Sequence, residues 1–153
     1  MLKKNSLFII LSIILCLVFA CDKTPQADLD QELIESYVAE NNLNGQFTSS
    51  GLYYVITNEG TGDYPSTSDT VTVHYRGTLL DGKQFDSSYD NLGDPISLLL
   101  ANTILGWQEG IPLFKAGGEG LLVIPSHLGY GENDVGEIPC NSVLVFDISL
   151  LSF

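Results

Sequence analysis

The chain has 153 residues, and its 19 acidic side chains outnumber its 6 basic ones, giving a formal net charge of −13. This balance argues against a nucleic-acid partner, because binding the phosphate backbone requires clustered lysine and arginine. Its three cysteines and two histidines show no metal-ligand spacing, so we expect no metal and no other cofactor.

The N-terminal segment has the pattern of an export signal. Lys3 and Lys4 precede an apolar run at residues 7–20, which is shorter than the about 20 residues that a membrane-spanning helix needs. The run ends at Ala20-Cys21 and resembles the lipobox of bacterial lipoproteins, in which the cysteine is acylated and becomes the new N-terminus. An ordinary cleaved signal that contains a cysteine is the alternative, and the polar residues 22–26 favour the lipoprotein.

Cleavage before Cys21 would remove 20 of the 153 residues, leave 133, and change the charge to −15 by the loss of two lysines. We therefore expect a signal peptide at residues 1–20, a tether at residues 21–27, and a lipid on Cys21. This lipid would attach the chain to a membrane of the bacterial cell envelope, on its periplasmic or extracellular face. Cys140 would remain as a half-buried thiol, and we expect no intrachain disulfide.

The first predicted element after the tether is an amphipathic helix at about residues 29–43, within a helical extension at residues 28–50. Asp28 is its expected N-cap, and Asn44-Gly45 is its expected left-handed stop. Its apolar stripe either packs on the main domain or forms a dimer. We favour packing and a monomer, because one helix of about four turns makes a small interface. The stripe consists of Leu29, Leu33, Ile34, Tyr37 and Val38.

From residue 51 onwards the apolar period changes from that of a helix to that of a strand. In the strand predicted at residues 70–79, Tyr75 shares one face with alternate apolar positions, and His74 and Arg76 point to the other face. A short helix is predicted at residues 105–111. Several antiparallel strands and one short helix predict an α+β domain at residues 51–153, with a curved sheet wrapped over the helix. The remaining strands are predicted at residues 52–56, around Phe85, and at 96–100, 120–124 and 142–151.

Five aromatic residues stand in separate short motifs. Trp107 is the only tryptophan, and Asp86 directly follows Phe85. Aromatic residues on separate segments, with one acid and no nucleophile among them, predict an apolar pocket that binds and reshapes a substrate. The expected chemistry is therefore conformational. The motifs are VHYRG around Tyr75, GKQFDSS around Phe85, ILGWQEG around Trp107, LGYGEN around Tyr130 and VLVFDISLL around Phe146.

Six motifs in this order resemble those of the FKBP-type peptidyl-prolyl isomerases, the macrolide-binding isomerases. The resemblance covers about residues 51–153, and it implies the FKBP-like fold and isomerisation of proline-containing segments of unfolded exported proteins, without a cofactor. The motifs are TVTVHYRG at 70–77, DGKQFDSS at 81–88, ILGW at 104–107, IP at 124–125, GYG at 129–131, and IP followed by VLVFD at 138–147.

The resemblance also implies a set of site residues. Trp107 would form the floor under the proline ring, and the Tyr130 hydroxyl and the Ile104 backbone N–H would donate to peptide carbonyls. Asp86 would orient the pocket, with the Tyr75 hydroxyl as its partner. A hydrophobic core would bury many of these side chains in any case. The full set is Tyr75, Phe85 and Phe146 as walls, Asp86, Ile96, Ile104, Trp107, Tyr130, and Ile138 on an overhanging loop.

Two departures from the family pattern bear on function. Asn91 stands at about the position where an arginine commonly supports the aspartate, and Ile96 and Leu98 replace frequent aromatics. These changes predict reduced affinity for macrolides. They also leave open a weakly catalytic or non-catalytic proline-binding chaperone. A third alternative is a lipid-anchored scaffold that binds a partner through its N-terminal helix.

Overall fold

The computed structural model describes residues 25–90 and 93–153 of the chain. The predicted signal peptide, the predicted lipidation site Cys21 and Asn91 lie outside the described residues. No helix in the described part is long and apolar enough to cross a membrane.

The described part is built on one seven-stranded antiparallel sheet, as the α+β prediction requires. The order of the strands is β1-β2-β6-β7-β3-β4. The remaining strand, β5, pairs with the first half of β3, whereas β4 pairs with the second half. The two-residue strand β1 was not predicted, because two residues carry no periodic pattern. The strands are β1 Gln46–Phe47, β2 Tyr53–Asn58, β3 Thr70–Leu79, β4 Gln84–Ser87, β5 Ile96–Leu99, β6 Gly118–Ile124 and β7 Leu144–Ser152.

The main core lies on one face of this sheet. In β3, Val71 and Val73 are fully buried and Tyr75 is nearly so, whereas Arg76 is exposed. The predicted alternation along β3 is therefore confirmed. The same holds for β7, whose alternate residues join this core: Leu144, Phe146, Ile148 and Leu150.

The short helix α2, Leu105–Gly110, covers this face of the sheet and matches the prediction. Gly106 and Gly110, one helical turn apart, lie against Ile124 and Leu122 of β6, and a Cβ atom on either glycine would overlap those side chains. The two glycines therefore allow the helix to lie directly on the sheet. This close approach positions Trp107, which α2 carries.

The N-terminal helix α1, Gln26–Glu40, begins three residues before the predicted start. The cap residue is Pro25, whose carbonyl accepts from the N–H groups of Asp28 and Leu29, so the expectation of Asp28 as a side-chain cap was wrong. Proline suits this position because its fixed φ fits a helix start and its missing N–H would have had no partner there.

The end of α1 also differs from the prediction. Asn42, with a φ of 52°, is the left-handed residue, and the N–H of Leu43 donates to the Val38 carbonyl across the last turn. Gly45 serves a different purpose, because a Cβ atom there would overlap the Tyr54 carbonyl oxygen. Its small size therefore allows the connection to pass close to β2.

Helix α1 packs on the other face of the sheet, as favoured from its sequence. Only Ile34 of the predicted stripe is fully buried, whereas Leu29 and Leu33 are 39% and 47% exposed. The buried face of α1 is therefore narrower than the predicted apolar stripe, because the helix contacts the sheet along a narrow line. Ile34 joins a second core cluster, which consists of Ile34, Tyr53, Val123, Val143 and Val145.

Cys140 is exposed, not half-buried as predicted. It lies in the irregular segment before β7, where its backbone N–H donates to Asp134 Oδ1 at 2.8 Å. The backbone of this residue is therefore anchored while its side chain faces solvent.

Candidate functional site

An open pocket of about 440 Å³ lies at the face of the sheet that α2 covers. Eight of the nine predicted site residues line it, and they come from β3, β4, β5, β7, α2 and two connecting segments. Leu98, Asn102 and Thr103 complete the lining, the last two from the end of a short 3-10 helix between β5 and α2 that was not predicted. The predicted residues in the lining are Tyr75, Phe85, Asp86, Ile96, Ile104, Trp107, Tyr130 and Phe146.

Ile138 is the predicted residue that does not line the pocket. Its side chain is only 5% exposed and belongs to the main core. The backbone N–H groups of Val135 and Ile138 donate to each other's carbonyls at 2.9 Å, which closes a tight turn. This core also contains Trp107 and Phe146 of the pocket, so burial brings Ile138 into the same cluster as the pocket walls.

The aromatic residues of the pocket interlock edge to face. The ring of Trp107 meets Tyr75 at a centroid distance of 5.2 Å and Phe146 at 5.3 Å, with interplanar angles of 83° and 81°. Phe85 meets Phe146 in the same way at 5.6 Å. Aromatic pairs favour this arrangement, so each ring holds its neighbours in place. In the described part of the chain, the buried Nε1 of Trp107 has no hydrogen-bond partner, and packing alone holds this ring.

Gly77 is a supporting residue that was not among the predicted site residues. A Cβ atom at this position of β3 would lie 2.6 Å from the Phe85 ring and 2.9 Å from the Phe146 ring. Glycine therefore leaves the space in which these two walls of the pocket meet. A glycine inside a strand commonly marks such a close approach, and that was the available signal.

Asp86 has the partner that was expected for it. The Tyr75 hydroxyl donates to Asp86 Oδ2 at 2.6 Å, and the backbone N–H of Ser87 donates to Oδ1 at 2.8 Å. Asp86 itself is exposed at the rim, so its carboxylate is solvated as well as hydrogen-bonded. Arg76 points away from it, as predicted, and forms an exposed ion pair with Asp147 at 2.6 Å.

The pKa values of the two pocket tyrosines are both raised. Burial, and then the hydrogen bond and the charge of Asp86, raise the pKa of Tyr75 far above its ordinary value. Burial and the charge of Asp86 also raise the pKa of Tyr130. Both hydroxyls are protonated at neutral pH, as ordinary tyrosines are, and the raised pKa values keep them protonated at more alkaline pH, so both can act as hydrogen-bond donors.

The sequence profile described as FKBP-type peptidyl-prolyl cis-trans isomerase matches residues 62–151 of this chain. This chain belongs to the FKBP family.

Known FKBP-type proteins resemble the chain in both sequence and structure. It is 53% identical over 105 residues to the FKBP-type peptidyl-prolyl cis-trans isomerase FkpA of Buchnera aphidicola, covering 68% of this chain and 41% of that protein. The crystal structure of FkpA from Escherichia coli superimposes with a TM-score of 0.74 at 44% identity, covering 83% of this chain and 60% of that one. A peptidyl-prolyl cis-trans isomerase from Pseudomonas syringae superimposes with a TM-score of 0.69 at 29% identity, covering 82% and 94%.

The chain spans less than half the length of the curated FKBP-type relatives that it matches. What it shares with them is the domain that carries the pocket. The rim of this FKBP pocket contains Ile96 and Leu98, and none of its described lining residues is cationic. Asp86 is therefore the one charged side chain among them.

Proposed function

We propose that this chain is a peptidyl-prolyl cis-trans isomerase that binds an X-Pro segment over Trp107. The observation that supports this proposal is that four aromatic residues, which form the walls and the floor, line one open pocket together with Tyr130 and Asp86. Such a pocket suits a reaction in which the barrier is rotation about a bond rather than bond cleavage. Rotation about an X-Pro bond faces about 18–20 kcal/mol and takes tens to hundreds of seconds without a catalyst.

The proposed mechanism requires no covalent intermediate. Water stabilises the planar amide, whose resonance form separates charge, and an apolar pocket removes that water. The twisted amide is less polar, so transfer into the pocket lowers its free energy relative to the planar form. Each tenfold acceleration requires about 1.4 kcal/mol of such differential binding.

The aromatic walls and floor, Tyr130, Ile104 and Asp86 each have a role in this proposal. The indole of Trp107 is the platform for the proline ring, and the walls complement the shape of the twisted amide. The Tyr130 hydroxyl donates to a peptide carbonyl, and burial, which raises its pKa, limits competition from water for this bond. Ile104, the cap residue of α2, bounds the pocket and offers its backbone N–H. Asp86 orients the rim through its hydrogen bond from Tyr75.

The decisive experiment is a proline-peptide isomerisation assay on residues 22–153. We expect a rate well above that of buffer, and a rate no higher than buffer would refute the enzymatic function. Phe85→Ala and Asp86→Ala should each lower the rate while circular dichroism shows a folded domain. Arg76→Ala is the control, because Arg76 is exposed on the opposite face and pairs with Asp147.

A proline-binding chaperone with little catalysis is the second candidate. It is favoured by the aliphatic rim formed by Ile96 and Leu98 and by the absence of a cation among the described lining residues. Suppression of aggregation by protein that is inert on proline peptides would support it. The same aliphatic rim is the reason why we expect a reduced affinity for macrolides. Titration with a macrolide, followed by Trp107 fluorescence, would measure this affinity.

For the cellular role, we propose that the chain assists the folding of exported proteins as a lipid-anchored monomer of the cell envelope. The signal pattern at residues 1–20 and the cysteine that follows it support this role. Metabolic labelling with palmitate should modify the wild-type chain and not a Cys21→Ser variant. Recovery of the Cys21→Ser variant in the membrane fraction would contradict the lipid anchor.

A further inference from the structure

We propose that Asp30, on the N-terminal helix, is a positioning residue for Tyr130 and acts through Ser126. This inference rests on the proposed function of the pocket. It also concerns a helix that lies outside residues 62–151, the part that matches the family profile.

Asp30 is a buried carboxylate with a complete set of partners. It is only 1% exposed, and its Oδ2 accepts from the backbone N–H of Ser126 at 2.8 Å and from the Ser126 hydroxyl at 2.6 Å. Its Oδ1 accepts from Gln26 Nε2 at 2.7 Å. A buried charge is strongly unfavourable unless it is hydrogen-bonded, and bonds to a carboxylate are stronger than bonds between neutral groups. Asp30 therefore holds Ser126 in place.

Ser126 in turn fixes the backbone on both sides of Tyr130. Its carbonyl accepts from the N–H groups of Gly129 and Gly131, both at 2.9 Å. Gly131 has a φ of 59°, which is the left-handed conformation that glycine adopts most readily. Tyr130 lies between these two anchored glycines, and its side chain lines the pocket. Ser126 therefore donates its backbone N–H and its hydroxyl to Asp30 of α1, while its carbonyl accepts from the backbone on both sides of Tyr130.

Loss of Asp30 would leave the buried N–H and hydroxyl of Ser126 without their partner. Ser126 is only 2% exposed, so water cannot replace the carboxylate without movement of the segment. That movement would displace the Tyr130 hydroxyl from the peptide carbonyl. A misplacement of about 1 Å can cost as much as about a hundredfold in rate.

The test is a double-mutant cycle on the full chain with Asp30→Ala and Tyr130→Phe. We expect Asp30→Ala to lower kcat/KM about tenfold in the wild-type background and less than twofold in the Tyr130→Phe background. Amide hydrogen exchange at Gly131 should accelerate, while exchange in the centre of β3 should not change. Asp30→Asn should recover part of the activity, because its carbonyl oxygen can still accept from Ser126.

The matched control is Asp69→Asn. Asp69 accepts from the backbone N–H and the hydroxyl of Ser66 at 2.7 and 2.8 Å, the same arrangement on an exposed turn. We expect this variant to keep the wild-type kcat/KM. If Asp30→Ala does not fold, Ser126→Ala replaces it in the cycle, because it removes only the hydroxyl bond to Asp30.

An equal loss of kcat/KM in both backgrounds would overturn the proposal, because Asp30 would then act on the fold as a whole. Unchanged activity in Asp30→Ala would overturn it as well. If the wild-type chain lacks isomerase activity, the proposed function fails. The same four proteins are then compared by their affinity for a proline peptide, measured by Trp107 fluorescence. The two failures are therefore distinguishable.

Discussion

The hydroxyl of Tyr75 donates a 2.6 Å hydrogen bond to Asp86, which connects β3 to the rim of the pocket on β4. Burial and then the carboxylate raise the pKa of the tyrosine, and the tyrosine holds the one charged side chain of the described lining at the rim. Both groups therefore depend on each other for their position.

This pair predicts non-additive effects of substitution. Tyr75→Phe and Asp86→Ala should each lower kcat/KM roughly tenfold, because a hydrogen bond to a charged group contributes about 1.5 kcal/mol at a partly exposed site. The double variant should lose little more than the more affected single variant. Arg76→Ala should leave kcat/KM unchanged. Fully additive losses would show that the two residues act independently.

Gly77→Ala should damage the pocket and the core together. The added methyl group would lie 2.6 Å from the Phe85 ring, so this ring and that of Phe146 must move. We expect the free energy of unfolding in urea to fall by about 1–3 kcal/mol, and the affinity for a proline peptide to fall with it. Thr78→Ala, at the next position of β3 and on its other face, is the control. An unaltered peptide affinity in Gly77→Ala would contradict the proposed role of these walls.

The raised pKa of Tyr75 predicts a loss of stability at alkaline pH. Below about pH 10 the tyrosine is neutral in both the folded and the unfolded chain. Above that pH the unfolded chain releases the proton first, so the free energy of unfolding falls by up to about 1.4 kcal/mol per pH unit until the folded tyrosine also ionises. Urea unfolding between pH 9 and 11 should show a steeper fall for the wild type than for Tyr75→Phe. Parallel curves would contradict the shift.

Two neighbouring residues of α1 test how this helix packs. Ile34→Ala should lower the free energy of unfolding by about 2–4 kcal/mol, because Ile34 is fully buried against the sheet. Leu33→Ala should change it by less than about 0.5 kcal/mol, since Leu33 is 47% exposed. Sedimentation of both variants should match that of the wild type. A lower mass for Leu33→Ala alone would indicate a dimer formed through the exposed side of the helix.

The long strands were predictable because burial on one face imposes a period of two on the sequence. The bounds of β3 agree with the prediction at both ends, and β7 differs by two residues at its start. The helix α1 was less predictable at its ends. Both Pro25 and Asn42 could serve as boundaries, but Asp28 and Gly45 carried the stronger local signals.

Eight of the nine site residues predicted from the motifs line the pocket. Ile138, predicted on an overhanging loop, lies in a tight turn, where its side chain joins the core cluster that also contains Tyr75 and Trp107. Gly77 and Ser126 were not predicted to support the pocket. A glycine inside a strand indicates a close approach but not which side chains make it, and the two-sided hydrogen bonding of Ser126 leaves no periodic pattern in the sequence.

The amino-acid sequence by itself determined the strand pattern, the family and the identity of the pocket side chains, because each of these depends on local spacing and short motifs. The tertiary structure alone decided how the rings of Phe85 and Phe146 meet beside Gly77, and that Asp30 binds Ser126 across 96 positions of the chain. A buried carboxylate requires hydrogen-bond donors wherever the fold can bring them. The partner of Asp30 is therefore set by the packing of α1 on the sheet, which local spacing does not encode.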